Sequence, residues 1–140
     1  MPIQDLARAD VVTAPPETPI AELARRMRDE HVGSVVITDD RAPAGIVTDR
    51  DLATRVLADG SASTERTAGD VMSTDLCAVG PDAGFHEAAE VMSENGVRRL
   101  PICDANDELV GIITADDLTE LLSDESQQLA SVVRAQRPEY

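Results

Sequence analysis

Apolar and polar positions along this chain run through the same pattern twice. In the first round, residues 11–13 (Val-Val-Thr) form a short β-branched run that predicts a strand. Thr18-Pro19 reads as a helix N-cap followed by proline at the first helical position. Ile20, Leu23, Ala24 and Met27 then recur at i, i+3, i+4 and i+7, one face of a helix. His31 stands where that helix ends and suits its dipole. Residues 35–38 (Val-Val-Ile-Thr) predict a strand, 39–43 a turn and 44–47 a second strand, together a hairpin. Thr48 starts another helix, which stops near Gly60.

The second round follows the same plan. Residues 76–79 predict a strand, and Phe85, Ala88, Ala89 and Met92 repeat the helical stripe. Asn95-Gly96 predicts a left-handed helix end. Residues 100–103 and 109–113 are the hairpin strands, with Pro101 marking a strand edge or end. Thr114 starts the last helix. Sliding the chain on itself by 65 residues superposes Pro16 on Pro81, Glu22 on Glu87, Met27 on Met92, Val32 on Val97 and Asp39 on Asp104. After one inserted loop residue the offset becomes 66, and Gly45 meets Gly111, Thr48 meets Thr114 and Asp51 meets Asp117. Such ordered matches with one gap identify an internal repeat of β-α-β-β-α units, an α/β (α+β) chain. Residues 1–62 and 63–125 are the expected repeats, joined by a Ser/Thr-rich linker at 61–67. Half-size units are marginal alone, so the two must share burial. In the tail, 126–140, Leu129 and Val133 continue a face begun by Leu118 and Leu122. That face either extends the last helix and packs on the body or on a partner, or the terminus frays.

Composition narrows the chemistry. Of the 140 residues 42% are apolar, but Phe85 and Tyr140 are the only aromatics, so the core is built from aliphatic residues and Met. Net charge is −15, and all 12 basic residues are arginine. This balance argues against nucleic acid or an anionic membrane as partner. The absence of lysine excludes a P-loop lysine, a Schiff-base lysine and a pyridoxal phosphate anchor. A lysine-free, Asp-rich surface over an ordinary core is also the composition of halophile proteins, and predicts stability that falls in dilute buffer. Cys77 and Cys103 lack CxxC spacing and sit in apolar runs, as buried reduced thiols do. There is neither a signal-peptide pattern nor an apolar run long enough to span a bilayer, so a cytoplasmic location is expected. His86-Glu87-Ala88-Ala89-Glu90 approaches the zinc-protease HExxH but lacks its second histidine.

The sharpest motifs are GIVTDRD at 45–51 and GIITADD at 111–117, each strand, then Thr-x-x-Asp, then helix. Thr-x-x-acid is a variant of the capping box and needs no ligand. The same geometry also suits one: helix N-termini attract phosphate, and an aspartate accepts both hydroxyls of a ribose. Two copies at matching repeat positions raise the weight of a ligand site.

With the β-α-β-β-α order, these two motifs and the segments HVGSVVITD and GVRRLPICD, the chain resembles the cystathionine-β-synthase (CBS) domain family over about residues 10–123. The resemblance implies a tandem pair (a Bateman module) with pseudo-two-fold symmetry and two clefts. It implies a stand-alone, non-catalytic regulator that takes AMP, ADP, ATP, NAD(H) or S-adenosylmethionine, with Mg²⁺ if a polyphosphate binds, and that pairs as a homodimer and controls a further protein. The alternative is a scaffold with empty clefts. By the family pattern Asp51 and Thr48 serve one cleft, Asp117 and Thr114 the other, and Arg50 and Asp116 precede the aspartates. Thr13 is expected to close the Asp117 cleft and Ala78 the Asp51 cleft. Arg98 and Arg99 are expected to hold phosphate beside Asp117, or else to pair with surface acids; Gly33 and Ser34 occupy their places in the first repeat. On this reading the Asp117 cleft is the better nucleotide site, with Asp116 disfavouring a triphosphate.

Overall fold

The computed structural model describes residues 2–60 and 65–136. Residues 61–64 of the expected linker and 137–140 of the tail lie outside the described residues. In the first half, β1 (Thr13–Ala14) and α1 (Ile20–Glu30) are followed by β2 (Ser34–Asp39) and β3 (Ala42–Thr48). The chain then enters α2 (Asp49–Asp51), continues through a π-helical stretch (Leu52–Val56) and ends in a 3-10 turn (Leu57–Asp59) before Gly60. The second half holds α3 (Ala68–Val71), α4 (Phe85–Asn95), β4 (Arg99–Cys103), β5 (Leu109–Thr114) and α5 (Ala115–Gln136).

Local chemistry explains most boundaries. In α1, Ile20, Leu23 and Met27 are the buried face, as their spacing predicts. Its N-cap is Pro19 rather than the expected Thr18. Thr18 is buried beneath α3 and its carbonyl accepts the Ala68 N–H at 2.8 Å, so a tertiary contact takes the place of a cap. His31 ends α1 at φ 55°, and Gly96 ends α4 at φ 63°. The β2–β3 turn is two residues, Asp40 and Arg41, both at positive φ (49° and 72°), the twist that suits a tight hairpin.

The two sheets differ in a way that one residue explains. β1 pairs in parallel with β2 (Thr13 opposite Val36), and β2 pairs antiparallel with β3. The Val36 N–H donates to the Val12 carbonyl at 3.0 Å. The matching residue in β4 is Pro101, which has no N–H to offer. The strand expected at 76–79 shrinks accordingly to a single parallel bridge, Val79 opposite Ile102. Pro101 thus sits not at an edge but between Val79 and β5, with its carbonyl accepting the Val79 N–H at 3.1 Å.

Neither core is built from one half of the sequence alone. Ala68 and Val71 of α3 pack with Val12, Leu23, Val35, Ile37 and Val47 of the first half. Ile3, from the N-terminus, packs with Ala88, Leu100, Ile102 and Ile113 of the second. The exchange is symmetric: Ile3 N–H donates to Ala83, Ala68 N–H to Thr18; Arg8 pairs with Ile112, Ser73 with Ile46. These crossed segments bind the repeats about a pseudo-two-fold axis. α5 extends to Gln136 and leaves Leu122, Leu129, Val132 and Val133 exposed along its outer turns.

Candidate functional site

The crossed packing opens two clefts between the halves. The first, about 240 Å³, is walled by Thr48, Asp49, Arg50 and Asp51 from the β3–α2 junction. Its opposite wall comes from the second half: Ser73, Asp75, Leu76 and Cys77, then Arg98, Arg99 and Pro101. The second cleft, about 220 Å³, mirrors it, with Thr114 and Asp117 facing Arg8, Asp10, Val11, Val12, Gly33 and Ser34. Both are near the lower bound of about 300 Å³ for small-molecule pockets, and both open to solvent.

Each Thr-x-x-Asp motif is a working capping box. The Thr48 N–H donates to Asp51 Oδ2 at 2.9 Å and the Asp51 N–H to Thr48 Oγ1 at 3.1 Å. Thr114 and Asp117 repeat this at 2.9 and 3.2 Å. The boxes satisfy helix N–H groups, as the local reading requires. They leave binding capacity over, because each carboxylate keeps a second oxygen and each hydroxyl keeps its proton to donate. Asp51 Oδ1 lies 3.7 Å from Arg55 Nε, an ion pair whose carboxylate is only 14% exposed.

Arginines gather where the two motifs approach each other. Between the clefts a further depression is lined by Asp49, Arg50, Arg98, Arg99, Thr114 and Asp116. Arg98 meets Asp116 at 3.2 Å, but both side chains are about three-quarters exposed or more, so the pair contributes little to stability. Arg99 is different. It is half-buried, lines both clefts and the depression, and has no ion-pair partner among the described residues. Its guanidinium lies over Gly33, where a Cβ would come within 2.8 Å of Nη2.

This arrangement redistributes several expected residues. Arg98 joins Asp51 rather than Asp117, Arg99 lines both clefts, and Gly33 and Ser34 join Asp117 rather than Asp51. The reason is the crossing: each cleft takes its motif from one half and its second strand from the other. Thr13 and Ala78 line neither cleft. The Thr13 carbonyl is occupied by the Arg26 guanidinium, and Ala78 is exposed. Val12 and Cys77, one residue earlier, face the clefts instead. Asp116 turns to the central depression and to Arg98, away from the Asp117 cleft. The sequence reading missed Arg8, Asp10, Ser73 and Asp75. The 65-residue offset carried the signal, since it superposes Arg8 on Ser73 and Asp10 on Asp75. Among the described residues no cluster of His, Cys, Asp and Glu is arranged to hold a metal, and no helix is long and apolar enough to cross a membrane.

Known proteins share this architecture. An uncharacterised protein of Methanopyrus kandleri is 39% identical over 120 residues, covering 85% of this chain and 61% of that protein's length. The crystal structure of a CBS-domain-containing protein of Agrobacterium tumefaciens superposes with a TM-score of 0.77 at 30% identity, covering 86% of this chain and 98% of the other. A CBS domain pair in complex with 5′-methylthioadenosine and S-adenosyl-L-methionine superposes with a TM-score of 0.81 over 89% of this chain and 98% of that one; at 23% identity this likeness speaks for the fold. The CBS domain itself matches twice, at residues 3–58 and 68–124, so both crossed segments, each preceding its first strand, fall inside the matched units and the chain belongs to the CBS domain family as a tandem pair.

Proposed function

We propose that this chain is a regulatory module that binds an adenosine-containing ligand between its two CBS domains, with the Asp51 cleft as the principal site. The observation that carries this reading is Arg99: a half-buried cation without a carboxylate partner among the described residues, in a chain of net charge −15. Such a group is a ready partner for a phosphate. Beside it Asp51 and Thr48 offer the acceptor and donor that suit a ribose. The ligands held by the structurally similar CBS pair are both adenosine derivatives, which supports the same class here.

Charge ranks the ligands. The Asp51 cleft sets Arg50, Arg98 and Arg99 against Asp49, Asp51 and Asp75, so it is locally neutral. A monophosphate suits that balance best, and a triphosphate needs Mg²⁺ to offset its charge. The mechanism is differential binding: ligand favours one arrangement of the two domains, or of a homodimer, and a regulated protein responds to that arrangement. No residue is assigned a catalytic step. A second reading, a scaffold with empty clefts, is favoured by the complete capping boxes, which explain both motifs without ligand.

Thermal unfolding with AMP, ADP, ATP, NADH and S-adenosylmethionine, with and without Mg²⁺, separates the two. A ligand at about 100 times its Kd adds roughly 2.7 kcal/mol. At about 2.1 cal/mol/K per residue, 140 residues convert this to on the order of 9 °C. Asp51→Ala is expected to lower the unliganded midpoint by a few degrees through the lost cap and to abolish the ligand shift. No shift with any of these ligands would leave the scaffold reading. Running the series in dilute buffer and in molar KCl also tests the halophilic reading of the acidic surface, which fails if stability is the same in both.

A further inference from the structure

We infer that Arg99 is a single phosphate contact shared by the two clefts, so that phosphorylated adenosine ligands bind to them antagonistically while the unphosphorylated nucleoside binds independently. This rests on the clefts being adenosine sites and adds a coupling between them.

The argument begins with a broken symmetry. A fully symmetric pair would place one arginine at each of two matching positions. Here the residue matching Arg99 is Ser34, and the residue matching Arg98 is Gly33. Ser34 lines the Asp117 cleft and brings no charge to it. Arg99 crosses into the space above Gly33 and lines that cleft as well as its own. Gly33 makes the crossing sterically open, because a Cβ there would sit 2.8 Å from the guanidinium. Arg98 does not line the Asp117 cleft and is paired with Asp116. Arg8 does line it, but as an exposed group whose charge water and salt screen. Among the described residues, the half-buried cation available to both clefts is therefore Arg99.

A guanidinium has donors enough for two phosphates, but only one positive charge. The first phosphate neutralises it. A second phosphate arriving on its other edge meets a neutralised cation and a nearby anion. Two unit charges about 6–7 Å apart at an effective dielectric near 40 repel enough to weaken binding roughly tenfold. Adenosine brings no such charge and carries no penalty.

Isothermal titration of AMP and of adenosine into the wild type and Arg99→Gln tests this. Adenosine is expected to fill two sites in both proteins with unchanged affinities, which also shows that the variant is folded. AMP is expected to fill one site tightly in the wild type, with the second at least about tenfold weaker than the adenosine ratio predicts, or too weak to detect. In Arg99→Gln the tight AMP site weakens by about tenfold or more and the gap between sites falls to the adenosine ratio. Arg99→Ser, which copies the matching position, is expected to behave alike and stands in should the glutamine variant fail to fold. The inference is overturned if AMP fills both wild-type sites in the adenosine ratio, if either folded variant keeps the gap, or if adenosine occupies one cleft only. Failure of both adenosine and AMP to bind anywhere would instead remove the reading of the clefts as adenosine sites, and this inference with it.

Discussion

Replacing Pro101 by valine gives β4 the residue that β2 carries at the matching position, Val36. In β2 the Val36 N–H reaches the Val12 carbonyl at 3.0 Å and helps hold β1 in the sheet. In β4 that donor is missing, and the segment beside it keeps one bridge, closed by Val79 N–H to Pro101 O at 3.1 Å and Cys103 N–H to Val79 O at 3.0 Å. Valine at 101 supplies an N–H directed at the Cys77 carbonyl. A net hydrogen bond contributes about 0.5–1.5 kcal/mol. Losing proline returns about 0.4–1 kcal/mol of conformational freedom to the unfolded chain. The two partly offset, so the thermal midpoint should move by less than about 4 °C. The local effect does not cancel, because opening the 76–79 segment now breaks one more bond. Hydrogen exchange of the Val79 amide should slow by about 2- to 12-fold, the range that 0.5–1.5 kcal/mol implies. The assay is native-state exchange read residue by residue, with the Thr13 and Ala14 amides as internal references. An unchanged or faster Val79 amide in a folded variant would refute the claim that the missing donor is what shortens this strand. The functional stake is direct, since Leu76 and Cys77 wall the Asp51 cleft.

Other outcomes follow from single residues. His31 holds at φ 55° a conformation that Gly96 holds at 63° in the matching helix end; His31→Gly should raise the midpoint by up to about 3 °C and Gly96→Ala lower it by a similar amount, and equal signs would refute the assignment. The Cys103 thiol is raised above its usual value chiefly by burial, with Asp107 and Asp104 adding to the shift, whereas Cys77 lies half-buried in a cleft wall. Iodoacetamide should therefore alkylate Cys77 at least about tenfold faster than Cys103 in the folded protein, and equal rates would contradict the packing. Asp70 is held below the usual carboxylate range by hydrogen bonds from the Thr67 N–H and hydroxyl. A lowered carboxylate contributes stability above its unfolded value and loses it as pH falls through the folded one, so the midpoint gap between wild type and Asp70→Asn should persist above about pH 5 and shrink as pH falls below about 4.

Much of the fold was legible because its signals are local. Helix faces at 20–27 and 85–92 and the hairpin strands follow from spacing that one segment carries by itself. The left-handed end at Gly96 and the capping boxes at Thr48 and Thr114 need no knowledge of distant residues. The strand predicted at 76–79 is cut to one bridge, because the donor it lacks would come from position 101, a proline more than twenty positions away in sequence but adjacent in the sheet.

The amino-acid sequence alone determined that there are two copies of one unit, which faces are apolar, and that a threonine and an aspartate open a helix after each hairpin. Tertiary structure decided which half meets which. In a repeated chain, Ile3 could pack under its own half or the other, and Arg98 could face the aspartate of its own half or that of the other, with equivalent local sequence either way. Burial across the pseudo-two-fold axis breaks the tie: Ile3 enters the second core, Ala68 the first, and Arg98 crosses to Asp51. Periodicity reports that a face is buried, but carries no information about which of two matching surfaces buries it.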